Sequence, residues 1–185
     1  IAIRFYIAKK QYTYSNAHAY YGGNVYLGDS LLANGQSLSD DYPLNVVLHE
    51  VLHSLGAEHP HQGKTRMPSA EDIRLLTTLS YKEQYLAYPQ LGIFDVAFLH
   101  YRFGVNPNVR KGNDVYRFRA PSDHSVERDV YIWDGGGVDT FDASDQTQGV
   151  NVNLTPGSWI YAGEKTQNFL MTAPYTYLDL SLIHI

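Results

Sequence analysis

Cysteine is missing altogether from these 185 residues. Disulfide scaffolds, thiolate zinc sites, iron–sulfur clusters and cysteine nucleophiles are thereby excluded, and any metal must be held by histidine, carboxylate, tyrosine or carbonyl oxygen. The absence does not fix a compartment, since a cysteine-free chain suits secretion as well as the cytosol. An excess of positive charge is missing too. Lys and Arg number 14 against 19 Asp and Glu, a formal net charge of −5, which argues against nucleic acid as a partner bound through a basic surface. No apolar run approaches the roughly 20 residues that a membrane-spanning helix requires. Charged residues make up only 18% of the chain, hydrophobic ones 44% and aromatic ones 14%, which is not the balance of a disordered segment. The expectation is a soluble globular chain, long enough for one sizeable core or for one domain and part of another.

Both ends read as cut. There is no initiating methionine and no signal-peptide layout, and the apolar run Ile1-Ala2-Ile3-Arg4-Phe5-Tyr6-Ile7 reads as a strand already under way. The close, Leu180-Ser181-Leu182-Ile183-His184-Ile185, is what a transposon end used in sequencing libraries spells when translated in one frame. Residues 180–185 are therefore expected to be foreign to a truncated reading frame.

Between these ends, the first forty residues are rich in Tyr, Gly and Asn and read as strands and loops without helix, with Asn24-Val25-Tyr26-Leu27-Gly28 one such strand. Asp40-Asp41-Tyr42-Pro43 offers a carboxylate cap followed by proline, a helix start. Leu44, Val47, Leu48, Val51, Leu52 and Leu55 then recur with a 3.6-residue period, and Gly56 supplies a left-handed stop. The spacing predicts a buried helix over 44–55. Ile93, Val96, Ala97, Leu99 and Phe103 predict a second over 93–103, closed by Gly104. Beyond Val105-Asn106-Pro107-Asn108, strand-like runs at 115–118, 129–133 and 150–154 alternate with Gly- and Asp-rich turns. The reading is an α+β unit over 1–104 and an all-β unit over 105–185.

The first helix carries the chemistry. His49-Glu50-Val51-Leu52-His53-Ser54-Leu55-Gly56-Ala57-Glu58-His59 has the form H-E-x-x-H-x-x-G-x-x-H. Residues four apart stand one above the other on a helix, so His49 and His53 can offer ring nitrogens to one ion. Gly56 permits the sharp turn that brings back His59 as a third ligand. Three neutral imidazoles leave a tetrahedral zinc one open position, the arrangement of a catalytic site. Glu50 lies about 100° round the helix from His49, within reach of a metal-bound water whose pKa zinc lowers to roughly 7. A carboxylate there can take that water's proton and return it to a leaving amine. An ordinary amphipathic helix explains one polar histidine but not five specified positions together.

Downstream, Trp133-Asp134-Gly135-Gly136-Gly137-Val138-Asp139-Thr140 sets two carboxylates around a glycine run. Hard anionic oxygens and inward carbonyls suit calcium, and a glycine-rich hairpin with solvated aspartates fits the spacing equally well. His18, His61, His100 and His124 have no partners at ligand spacing and read as structural, while Arg4, Lys9, Lys10, Arg110 and Lys111 read as solvated charges.

Extended by Pro60, the histidine motif resembles that of the metzincin metalloproteases and, more narrowly, of the serralysins, bacterial secreted zinc endopeptidases with a calcium-binding β-roll after the catalytic domain. The resemblance covers roughly 49–60, 79–81, 93–104 and 110–142. It implies that His49, His53 and His59 ligate one catalytic zinc, with Glu50 the base. A Met-turn ending in Met-Ser-Tyr is expected beneath the metal. The chain reads Thr77-Thr78-Leu79-Ser80-Tyr81 there, with nearly isosteric leucine in the methionine's place and Tyr81 implied as a further zinc ligand that hydrogen-bonds the tetrahedral intermediate. The resemblance also shifts the glycine run toward a structural calcium site, with Asp134, Gly136, Gly137 and Asp139 as ligands, carbonyls from Arg110, Gly112 and Asp114 upstream, and Asp179 further on. It implies a metzincin-like catalytic domain lacking its N-terminal part, followed by the start of the β-roll, in an extracellular monomer acting on proteins and peptides, with a proteinaceous inhibitor as a further partner. The competing reading is a catalytically inactive zinc- and calcium-binding β module of an exported RTX-type protein, motivated by Leu79.

Overall fold

The computed structural model describes residues 2–9, 17–74, 76–82, 91–117, 131–132, 134–155, 158–163 and 178–181. The chain divides into two compact units, Ile1–Phe98 and Leu99–Ile185.

In the first unit, strands β1 (Phe5–Ala8), β2 (Ala17–Ala19) and β3 (Val25–Gly28) form a sheet in the order β1-β3-β2. β1 runs parallel to β3, and β2 runs antiparallel to it along the other edge. The residues of a strand face alternate sides. Val25 and Leu27 are buried with Ala17 and Leu31, against Val46, Val47 and Val51 of the helix that follows. Tyr26 faces the other way and stacks between Tyr6 of β1, at 5.3 Å, and His18 of β2, at 4.9 Å. Those three are direct register partners.

A 3₁₀ segment, Asp29–Gly35, leads out of β3, which corrects the expectation that the first forty residues hold no helix. The helix α1 spans Asp41–Ser54, three residues longer at its start than the apolar period indicated. Its cap is a second correction. Asp40 occupies the N-cap but makes no side-chain cap bond. Its carboxylate instead accepts from the Ser37 amide at 2.7 Å, closing the preceding turn. Full burial of Leu27 and Leu52 contributes about 1.5–3 kcal/mol each. α1 is also buried away from the sheet, where Asn45 Nδ2 donates to Thr78 Oγ1 at 3.1 Å.

Helix α2 spans Ile93–Phe103, as its period predicts. Of its expected apolar face only Ile93 is buried, and the deepest residue is Asp95. That carboxylate accepts from the Gly92 amide at 2.7 Å, the Thr78 amide at 2.8 Å and the Thr77 hydroxyl at 2.6 Å. The bond to Gly92 is the returning half of a capping box.

The second unit is strands and turns among its described residues after α2. β4 (Val115–Arg117) pairs parallel with β6 (Thr140–Asp142). β5 (Tyr131–Ile132), β7 (Val150–Asn151), β8 (Ser158–Ala162) and β9 (Leu178–Ser181) form a sheet in the order β5-β9-β8-β7. Ile160 is packed by Phe141 and Ala143. β7 is shorter than the predicted run at 150–154. Residues 118, 129, 130 and 133, His124 and residues 182–185 lie outside the described set.

Candidate metal centre

α1 sets His49 and His53 on one face, and Gly56 turns the chain back with φ +100°. A side chain at Gly56 would also meet the Tyr21 ring within 2.8 Å, so that ring would have to shift, while the left-handed backbone itself favours glycine. The return brings His59 to the pair. The three Nε2 atoms stand 3.1 to 3.2 Å apart. A tetrahedral zinc with bonds of about 2.0–2.1 Å separates its ligands by about 3.3 Å, so the triangle has the size of a metal face.

The outer nitrogens decide how those atoms meet. His49 Nδ1 lies 2.9 Å from the Thr78 carbonyl, His53 Nδ1 2.8 Å from the Ala57 carbonyl, and His59 Nδ1 3.0 Å from Gln62 Oε1. Each partner oxygen can only accept, so each Nδ1 carries the proton. In the neutral rings all three Nε2 atoms then present lone pairs to one another. No hydrogen remains to bridge them, and a cation is what satisfies the arrangement. Burial lowers the pKa of His49 to about 4, outweighing the Thr78 bond, and His53 and His59 lower it further. Burial lowers His59 also, against the bond to Gln62. Both rings are therefore neutral and able to ligate near pH 7.

Glu50, 7% exposed, has its pKa raised to about 7 by burial, which suits a group that must both take and give a proton. Beneath the triad, the turn of Thr77, Thr78, Leu79 and Ser80 is buried throughout, with Leu79 4% exposed. It supplies the carbonyl that orients His49. Tyr81 emerges from this turn 57% exposed. Its ring lies 4.5 Å from that of His59, 6.0 Å from that of His49 and 5.0 Å from that of His61. Burial and then the Glu50 charge raise its pKa, which keeps the phenol a hydrogen-bond donor.

Serralysin B of Dickeya chrysanthemi is 30% identical over 156 residues, covering 68% of this chain and 31% of its own length. Serralysin of Proteus mirabilis is 29% identical over 152 residues, 69% of this chain and 31% of its own. Metalloprotease AprA of Pseudomonas entomophila is 29% identical over 170 residues, 74% and 34%. The chain belongs to the serralysin family. It spans about a third of the length of the serralysins it matches, and no family model matches it.

The second serralysin-like motif also comes together. Carboxylate oxygens of Asp114, Asp134 and Asp139 lie within 4.8 Å of one another. Asp134 accepts from the Gly136 amide at 2.8 Å and the Tyr116 hydroxyl at 2.5 Å, and Asp139 from the Asp114 amide at 2.9 Å. Gly137, at φ +146°, sits so close to the Gly112 carbonyl that a Cβ would stand 1.7 Å from it. The Asp114 carbonyl accepts from the Thr140 amide at 2.9 Å beside the β4–β6 pair, and its carboxylate joins the cluster with a buried oxygen that has no partner among the described residues. Arg110 takes a left-handed backbone, φ +45°, and its guanidinium lies over the Tyr116 ring at 5.6 Å. Asp179 is in β9 opposite Ile160, and its side chain lies outside the described set.

Sequence reasoning missed Gln62, Asn45, Asp72 and Asp95. Asp72 is buried, with its carboxylate 3.9 Å from His61 and 3.6 Å from Lys82. It thereby ties the residue two beyond the third histidine to the residue after Tyr81. His61, expected to be merely structural, also stacks on His59 at 5.3 Å.

Proposed function

We propose that this chain carries the catalytic centre of a zinc endopeptidase that hydrolyses extended protein substrates. The single observation that carries the reading is the convergence of three imidazole Nε2 atoms beside a buried carboxylate of near-neutral pKa. His49, His53 and His59 would hold the zinc, which supplies Lewis-acid polarisation of the scissile carbonyl and of water. Glu50 takes the proton from the attacking water and delivers it to the departing amine, so that charge never builds on the nitrogen. Tyr81, protonated and exposed at the rim, would donate a hydrogen bond to the oxyanion that develops on the carbonyl oxygen, and its phenol oxygen would serve as a further ligand for the zinc. β2 is the antiparallel edge of the sheet among the described residues, and an edge strand is suited to pair with an extended substrate backbone.

Asp114, Asp134 and Asp139 would hold a structural calcium with carbonyls near Gly112, Gly136 and Gly137, since three clustered carboxylates repel one another unless a cation joins them. The serralysin relationship supports an extracellular place of action. No helix among the described residues is long and apolar enough to cross a membrane.

Glu50→Ala tests the mechanism. The variant should retain zinc by elemental analysis yet lose about 100- to 10,000-fold in peptide hydrolysis. Equal turnover in variant and parent would refute the assignment.

A further inference from the structure

We infer that Gln62 sets the affinity of the histidine triad for its metal, an inference that rests on reading the triad as a zinc site. The outer nitrogens of the triad are held by three acceptors. Two are main-chain carbonyls, of Thr78 and Ala57, which a side-chain replacement leaves in place. The third is the amide oxygen of Gln62, 3.0 Å from His59 Nδ1. One side chain therefore fixes the tautomer of one ligand.

That ligand is the one most in need of it. His49 and His53 are borne by the regular turns of α1, whereas His59 lies beyond Gly56 on non-helical chain. Gln62 grips it twice, because its own amide also donates to the His59 carbonyl at 3.0 Å. An imidazole whose Nδ1–H is held by an acceptor is presented in one orientation and is more basic at Nε2. Gln62 is exposed, so its replacement should not disturb a core. Water can partly substitute for the lost acceptor, and the loss is accordingly graded.

The test is zinc affinity, measured on the full chain by competition with a chromogenic chelator for the parent, Gln62→Leu and Gln62→Glu. Gln62→Leu deletes the acceptor and should weaken binding about 10-fold, the lower end for removal of an outer-shell partner. Gln62→Glu restores an acceptor, now charged, and should bind at least as tightly as the parent. A leucine variant within about twofold of the parent overturns the inference, and so does a glutamate variant as weak as the leucine one, since the acceptor would then be irrelevant. A parent that takes up no zinc overturns the underlying reading of the triad.

Discussion

Leu79 stands buried in the turn whose carbonyl at Thr78 aims His49. Its contribution to that floor is shape, so a volume-conserving change should be tolerated and a truncation should not. Leu79→Met is expected to alter stability by less than about 1.5 kcal/mol, and Leu79→Ala to cost about 2–5 kcal/mol, both read from urea melts. An alanine variant as stable as the methionine one would remove Leu79 from the floor. At this scale the sequence was most informative where chemistry demands fixed spacing. His49, His53, Gly56 and His59 are positioned by helical repeat and a single left-handed residue, and both leave a signature in the chain. Gln62 and Asp72 leave none, because the meeting of a ring nitrogen with a loop side-chain oxygen depends on how residues 60–72 fold back. Asp40 was misleading for a related reason. Its carboxylate had a nearer donor in Ser37 than in the helix it precedes.

α1 and α2 were both legible because their apolar residues recur every three to four positions. The 3₁₀ segment at Asp29–Gly35 was not, since so short a run has no period to detect. Nor was the anchor of α2, where the buried residue is Asp95 and not the apolar stripe. Burial is the largest influence on Asp95 and raises its pKa, while the Thr77, Thr78 and Gly92 donors lower it without prevailing. The folded value thus exceeds the unfolded one. The linked stabilisation is complete below the unfolded pKa and is lost as pH rises through the folded one. Asn at this position cannot ionise, so the stability of the parent relative to Asp95→Asn should decline as pH rises above about 4 in urea melts. A gap that widens with pH would mean that the three donors, and not burial, govern the carboxylate.

Across the whole chain, strand order was the least legible property. β1 with β3 and β4 with β6 are parallel pairs of strands not consecutive in the chain, and nothing in a strand's own residues names so distant a partner. The two candidate ion-binding clusters fall in different units, the histidines in Ile1–Phe98 and the aspartates in Leu99–Ile185. Calcium at about 100 times its dissociation constant should stabilise the second unit by about 2.7 kcal/mol. Asp134→Asn should abolish most of that gain in thermal melts with and without chelator, and a calcium response that survives the substitution would place the ion elsewhere. The chain's two tryptophans, Trp133 and Trp159, both fall in the sequence span of the second unit. The first unit carries a different optical label. Tyr6, Tyr26 and His18 stack as register partners across three strands, close enough for their electronic transitions to couple. A slip of one residue in β3 would put Val25 or Leu27 in place of Tyr26 and extinguish that coupling. The part of the near-ultraviolet circular dichroism that Tyr6→Phe removes should therefore time the loss of strand register in the first unit, in an unlabelled sample.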